Sequence, residues 1–167
     1  MKLRKAALED AEVLAKILIA SWRQTYAGLV PDSYMSKFDI TRRTHQFQKA
    51  IAERTEETYV AEAEKILLGF STIGPCRDED LDPQLTGEIW AIYLAPEYWR
   101  KGLGSQLCRY AEEQLRAKGY GQIALWVFKA NQSARMFYSV IGYEPDGGLK
   151  ILHFGLPLDV IRCIKNI

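Results

Sequence analysis

Six consecutive residues, Arg100-Lys101-Gly102-Leu103-Gly104-Ser105, stand between a short apolar run and a segment of helical periodicity. The run before them, Glu88-Ile-Trp-Ala-Ile-Tyr-Leu94, is rich in aromatic and β-branched residues and predicts a strand closed by Pro96. After them Leu103, Leu107, Ala111 and Leu115 recur at helical spacing. The first N–H groups of a helix have no partner within it, and the helix dipole puts partial positive charge at the same place. Glycines at 102 and 104 take away side chains that would hold a ligand off, and Arg100 and Lys101 add cationic donors. The chemistry that suits this junction is the cradling of a phosphate or pyrophosphate. The alternative is a glycine turn into a helix, flanked by two solvated cations. A Walker loop is absent, and a dinucleotide fingerprint fails because Leu107 stands where the third glycine belongs.

A second constellation follows about 30 residues later: Asn131, Ala134, Arg135, Tyr138, then Gly142-Tyr143. Asn131 suits the N-cap of a helix and Gly142 its end. Tyr138 falls two turns in, on the face of Ala134, and offers a phenol with an ordinary pKa of about 10. In isolation it reads first as a helix aromatic packed in the core with Met136 and Phe137.

Together the two motifs resemble those of the GNAT N-acetyltransferase superfamily, whose acyl-CoA loop reads Arg/Gln-x-x-Gly-x-Gly/Ala and is followed by Asn-x-x-Ala-x-x-x-Tyr. Gly102, Gly104, Asn131, Ala134 and Tyr138 fall in register, while Trp99 holds the position of the Arg or Gln and Arg100 comes one residue later. The resemblance is strongest from Glu88 to Tyr143. It implies a mixed α/β sheet flanked by helices and splayed between its fourth and fifth strands. It also implies acetyl-CoA as cosubstrate, without a metal, and an amine as acceptor. Arg100, Lys101, Gly102, Leu103, Gly104 and Ser105 would hold the pyrophosphate, with Asn131 and Arg135 on the CoA arm. Backbone groups of Ile92, Tyr93 and Leu94 would meet the thioester and pantetheine, and Tyr138 would be the general acid. Glu88, at the start of the strand, is either the base that takes the ammonium proton or a carboxylate that orients a neighbour.

A chain of 167 residues with 48% hydrophobic and 26% charged residues fits one soluble domain, 1–167. A net charge of +1 argues against nucleic acid or an anionic membrane as partner. Cys76, Cys108 and Cys163 form no metal-ligand spacing and suggest a reducing compartment; with no apolar run long enough to span a bilayer, a cytoplasmic location is expected. His45 and His153 have no supporting ligand pattern. Pairing with a second copy of the chain is left open.

The elements that must position these residues are legible in order. A strand is expected over 2–6, a helix from Glu9 to about Tyr26, a second helical segment from Pro31, and a helix over Thr41–Glu53. Strands are expected over Thr58–Ala63 and Ile66–Ile73, then from Glu88, then over Gln122–Phe128. Tyr143–Pro145 and Leu149–Leu156 suggest two final strands joined by a turn at Asp146-Gly147-Gly148, and the tail from Pro157 is unassigned. The loop with Asp78, Glu79, Asp80 and Asp82 is either a solvated connection or an acidic lip for a cationic acceptor. Trp22 and Tyr26 are aromatic candidates for the acceptor side. Two other functions stand beside the enzyme: a catalytically silent acyl-CoA sensor or partner-binding module, and a binder of another phosphate ligand. Tyr138 favours the enzyme over the first, and the Asn131–Tyr138 motif argues against the second.

Overall fold

In a computed structural model of residues 1–167, the elements run β1 (Lys2–Lys5), α1 (Ala11–Tyr26), α2 (Asp32–Met35), α3 (Ile40–Glu53), β2 (Glu57–Ala63), β3 (Ile66–Pro75), β4 (Thr86–Leu94), α4 (Leu103–Ala117), β5 (Gln122–Phe128), α5 (Gln132–Val140), β6 (Glu144–His153) and β7 (Pro157–Asn166). The strands form one sheet in the order β1-β2-β3-β4-β5-β7-β6, parallel between β4 and β5 and antiparallel elsewhere.

The two-residue period of β5 divides the interior. Ile123, Leu125 and Val127 face α4, where Cys108, Ala111 and Leu115 are buried at helical spacing. Phe128 faces the other way, into a core with Leu14, Ile17, Leu18 and Trp22 of α1 and Phe47 of α3. The start of α1 is fixed by Asp10, which accepts from Ala7 N at 2.8 Å and from the Arg4 guanidinium at 2.7 and 3.0 Å. Burial alone would raise the Asp10 pKa, but these donors outweigh it and hold the carboxyl below its usual range.

Two features shape the centre of the sheet. Between β3 and β4 the register passes from Thr72↔Ala91 to Ile73↔Ile89, so Trp90 is the extra residue of a bulge. The β4–β5 ladder runs only from Thr86↔Gln122 to Ile89↔Leu125 and stops where the bulge begins. The bulge bends β4 away from β5, and the sheet is splayed between its fourth and fifth strands.

The C-terminal end differs from the sequence expectation. Residues 144–153 form one strand with an irregularity between Pro145 and Leu149, not two strands about a turn. Asp146 there accepts from Gly148 N at 2.9 Å and from Arg162 Nε at 2.7 Å, so the Asp-Gly-Gly signal makes a bulge held by a side chain. The unassigned tail is β7, ten residues inserted between β5 and β6. Pro157 is its first residue, where a missing N–H is harmless.

Candidate active site

Beyond Ile89, β4 has no strand on its β5 side, and Trp126–Phe128 of β5 pair only with β7. Ala95 N donates to Leu68 O at 2.9 Å, so the peptide groups of residue 95 face β3. By antiparallel alternation those of Ile92 and Leu94 face the cleft and those of Tyr93 face β3. The Leu94 carbonyl accepts from Trp99 Nε1 at 2.8 Å. The N–H groups of Ile92 and Leu94 are thus directed at the cleft. Tyr93, grouped with them from the sequence, contributes a side chain instead of a cleft-facing N–H: its hydroxyl accepts from Trp22 Nε1 at 2.9 Å, on the α1 side.

The N-terminus of α4 lies against the same end of β4. Gly102 has φ +76°, a left-handed conformation that costs glycine little. The first bond into the helix runs from Gln106 N to Gly102 O at 3.3 Å, leaving the N–H groups of Leu103, Gly104 and Ser105 without a helical partner. A Cβ on Gly104 would come 3.5 Å from the Phe137 ring and 3.6 Å from Leu94, filling the strip between α4, α5 and the end of β4. Arg100 and Lys101 are exposed beside it. Unpaired N–H groups, a strip free of side chains and two cations fit the pyrophosphate of an acyl-CoA.

The Asn131 carboxamide oxygen caps α5 by accepting from Ala134 N at 3.0 Å, and Arg135 donates to Lys129 O at 3.2 Å. Tyr138 packs at 5.1 Å from the Phe137 ring and 5.9 Å from that of Tyr143. Burial raises its pKa far above the ordinary phenol value, and Cys108, Tyr93 and Tyr26 add to the rise. Tyr138 is half-buried and packs against the core between α4 and β5. It is a phenol that holds its proton at any working pH. The nearby Cys108 thiol is pushed up to about 12 by burial and is no nucleophile.

Glu88 is 1% exposed and lies before the cleft opens, opposite Ala124. Its carboxylate accepts from Arg77 N at 3.0 Å, Arg77 Nε at 3.1 Å and an Arg77 terminal nitrogen at 2.5 Å. The acidic stretch that follows is also engaged. Asp78 accepts from Lys150 Nζ, from Trp126 Nε1 at 3.0 Å and from Arg162 at 3.1 Å; Asp80 binds Arg162 through two 2.7 Å bonds. Asp78 and Asp80 therefore do not form a free acidic lip but strap the 76–86 loop to β6 and β7. Sequence reasoning missed Arg77, Lys150 and Arg162 because their partners lie 11 to 84 residues away. Trp22 and Tyr26 are buried in an aromatic cluster with Phe38, Phe128 and Phe154. His45 and His153 are both exposed, and no group of three or more His, Cys, Asp or Glu is placed to hold a metal ion.

Residues 17–143, which span both motifs and the splayed strands, match the model of the acetyltransferase (GNAT) family. The chain belongs to that family. An uncharacterised N-acetyltransferase of Bacillus subtilis, YuaI, is 33% identical over 98% of this chain and 96% of its own length. A spermidine N(1)-acetyltransferase of Thermoplasma acidophilum is 27% identical over 86% of this chain and 88% of its own length. The crystal structure of the PaiA N-acetyltransferase of Thermoplasma acidophilum in complex with coenzyme A matches this GNAT fold with a TM-score of 0.80 at 24% identity, over 99% of this chain and 98% of that one. This GNAT chain is an N-acetyltransferase whose cosubstrate is acetyl-CoA. None of its helices is long and apolar enough to cross a membrane.

Proposed function

We propose that residues 1–167 act as one catalytic unit that passes the acetyl group of acetyl-CoA directly to a primary amine, with Tyr138 as the general acid. The observation that carries this reading is the position of Tyr138: its ring packs on Phe137, whose ring, with Leu94, borders Gly104, so the phenol shares a corner with the Gly102–Ser105 cradle and the end of β4. The N–H groups of Leu103, Gly104 and Ser105, with Arg100 and Lys101, hold the pyrophosphate. Asn131 and Arg135 flank the CoA arm. The N–H groups of Ile92 and Leu94 act as a free strand edge: one binds the pantetheine amide and the other polarises the thioester carbonyl. The amine enters from the α1 side, its nitrogen forms the new C–N bond as the C–S bond breaks, and the departing sulfur takes the Tyr138 proton. The amine's extra proton goes to water, and Tyr138 is reprotonated from solvent. Glu88 is a positioning residue, with both of its carboxylate oxygens accepting from Arg77.

The acceptor is a small molecule or a peptide amine. The Thermoplasma relative is a spermidine acetyltransferase by name, which puts a polyamine in the first panel to be tried. Incubation of the purified chain with acetyl-CoA and a panel of amines, read by release of free thiol, tests the proposal. Amine-dependent release supports it. Binding of acetyl-CoA with no release for any amine favours the silent acyl-CoA module.

A further inference from the structure

The acceptor side of the cleft is roofed by aromatic rings and rimmed by cations. Trp22, whose indole reaches the Tyr93 hydroxyl, packs on Phe38 at 5.2 Å and Phe154 at 5.0 Å. The Arg43 guanidinium lies over the Phe38 ring at 5.5 Å. Arg43 stands one turn before Phe47, so both occupy the inward face of α3; Phe47 touches Phe70 at 5.4 Å, and Phe70 touches Tyr93 at 5.5 Å. Two short chains of rings thus link Arg43 to Tyr93 at the cleft. Burial raises the Tyr93 pKa, while the Trp22 donor and the charge of Arg43 pull it back, which agrees with that proximity.

Arg43 is half-buried, and its side chain bonds only Gln46, at 3.0 Å, with no carboxylate partner. With one side-chain bond made and no counter-ion, the remaining guanidinium donors are open to an anionic ligand. Arg42 and Lys37 stand exposed nearby, and Asp39, the carboxylate among them, is used to cap α3 by accepting from Arg42 N at 2.7 Å. Of the acidic residues near the cleft, Asp78, Asp80 and Glu88 are paired within the chain, while Glu79 and Asp82 stay exposed on the 76–86 loop.

We propose that the acceptor carries a carboxylate as well as its amine, an amino-acid or short-peptide chemistry, and that Arg43 binds this carboxylate while the amine sits at the cleft beside Tyr93. This rests on the acetyl-transfer reading of the same site. Arg43 is then a specificity-determining residue for the acceptor, with no part in holding acetyl-CoA.

The test compares free amino acids, their methyl esters and spermidine as acceptors for the wild-type chain and for Arg43→Gln. Binding of N-acetyl amino acids in the presence of CoA is followed in parallel by calorimetry. The expected result is a kcat/KM for at least one free acid about tenfold to a hundredfold above that of its ester, collapsing toward one in Arg43→Gln, with acetyl-CoA affinity and Tm unchanged. The N-acetyl acid should bind the wild type and lose affinity by a similar factor in the variant. Efficient turnover of spermidine with no preference for acid over ester overturns the inference while leaving acetyl transfer intact. Binding of N-acetyl acids that is absent, or that ignores the Arg43 change, overturns it even where no acceptor turns over. Failure of every amine despite Arg43-dependent carboxylate binding counts instead against the transfer reading.

Discussion

Tyr138 and Glu88 were both candidates from the sequence, and their surroundings separate their roles. Tyr138→Phe keeps the ring against Phe137 and Tyr143 and removes the only proton it can give. Turnover should fall by about 10² or more, with acetyl-CoA affinity and Tm nearly unchanged. If affinity and Tm drop together with turnover, the ring is a packing residue and not the acid. Glu88→Gln should behave differently. A glutamine still accepts from Arg77 N, so stability should fall by only about 1 kcal/mol, because the Arg77 side chain remains 56% exposed. The acidic limb of the kcat/KM profile should stay where it is; a shift of that limb would restore Glu88 as the base. The residue types of this site were legible because glycine at a helix start and asparagine at a cap act locally. The partners were not: nothing near Glu88 in sequence announces that Arg77 folds back onto it across a hairpin, and nothing near Asp78 points to Arg162.

At the scale of elements, the cleft is made by one inserted residue. Trp90 interrupts the β3–β4 register where the β4–β5 ladder ends, and the free N–H groups of Ile92 and Leu94 follow from that break. The α4 N-terminus completes the site, so Gly104→Val should remove the response to acetyl-CoA without unfolding the helix. At a ligand concentration about 100 times Kd the wild type should gain roughly 2.7 kcal/mol, seen as a rise in Tm, and the variant should gain little. An equal rise in both would place the pyrophosphate elsewhere. Trp99 has taken a structural post: its indole satisfies the Leu94 carbonyl and pins the loop to the strand end. Strand and helix boundaries from β1 to α5 follow the sequence within a few residues because their hydrophobic periods are clean. The end of the chain was harder to read. Asp146-Gly147-Gly148 has the composition of a hairpin turn, and only the long-range grip of Arg162 makes it a bulge within one strand. The Val160-Ile161 and Cys163-Ile164 pairs were a usable signal for β7, with both faces covered, but Pro157 masked it.

Across the whole molecule, the two faces of the sheet carry different kinds of support. Asp10 and Asp78 are both buried, which would raise their pKa values. Arg4 with Ala7 N in one case, and Lys150, Arg162 and Trp126 in the other, lower them below the usual carboxylate range. Since the folded pKa is the lower one, the unfolded chain takes up protons first as the pH drops. The stability from these groups is complete above the unfolded value of about 4 and is lost as the pH falls through the depressed folded values. Glu56 works in the opposite sense, its pKa raised by burial, so its protonation on acidification relieves a cost. Denaturant unfolding at a series of pH values should give a plateau near neutrality and a decline beginning around pH 4, shallower in Asp78→Asn. A slope that Asp78→Asn leaves unchanged would mean that the loop strap does not contribute to acid sensitivity.

The place of β7 in the sheet has a consequence for how the fold comes apart. Pro157–Asn166 lies between β5 and β6. β6 pairs with no other strand, and beyond Leu125 β5 has no ladder except the one to β7. Opening of β7 therefore bares two strand edges at once, and such edges invite association with other chains. The sheet beyond the cleft should then open as one unit and not strand by strand.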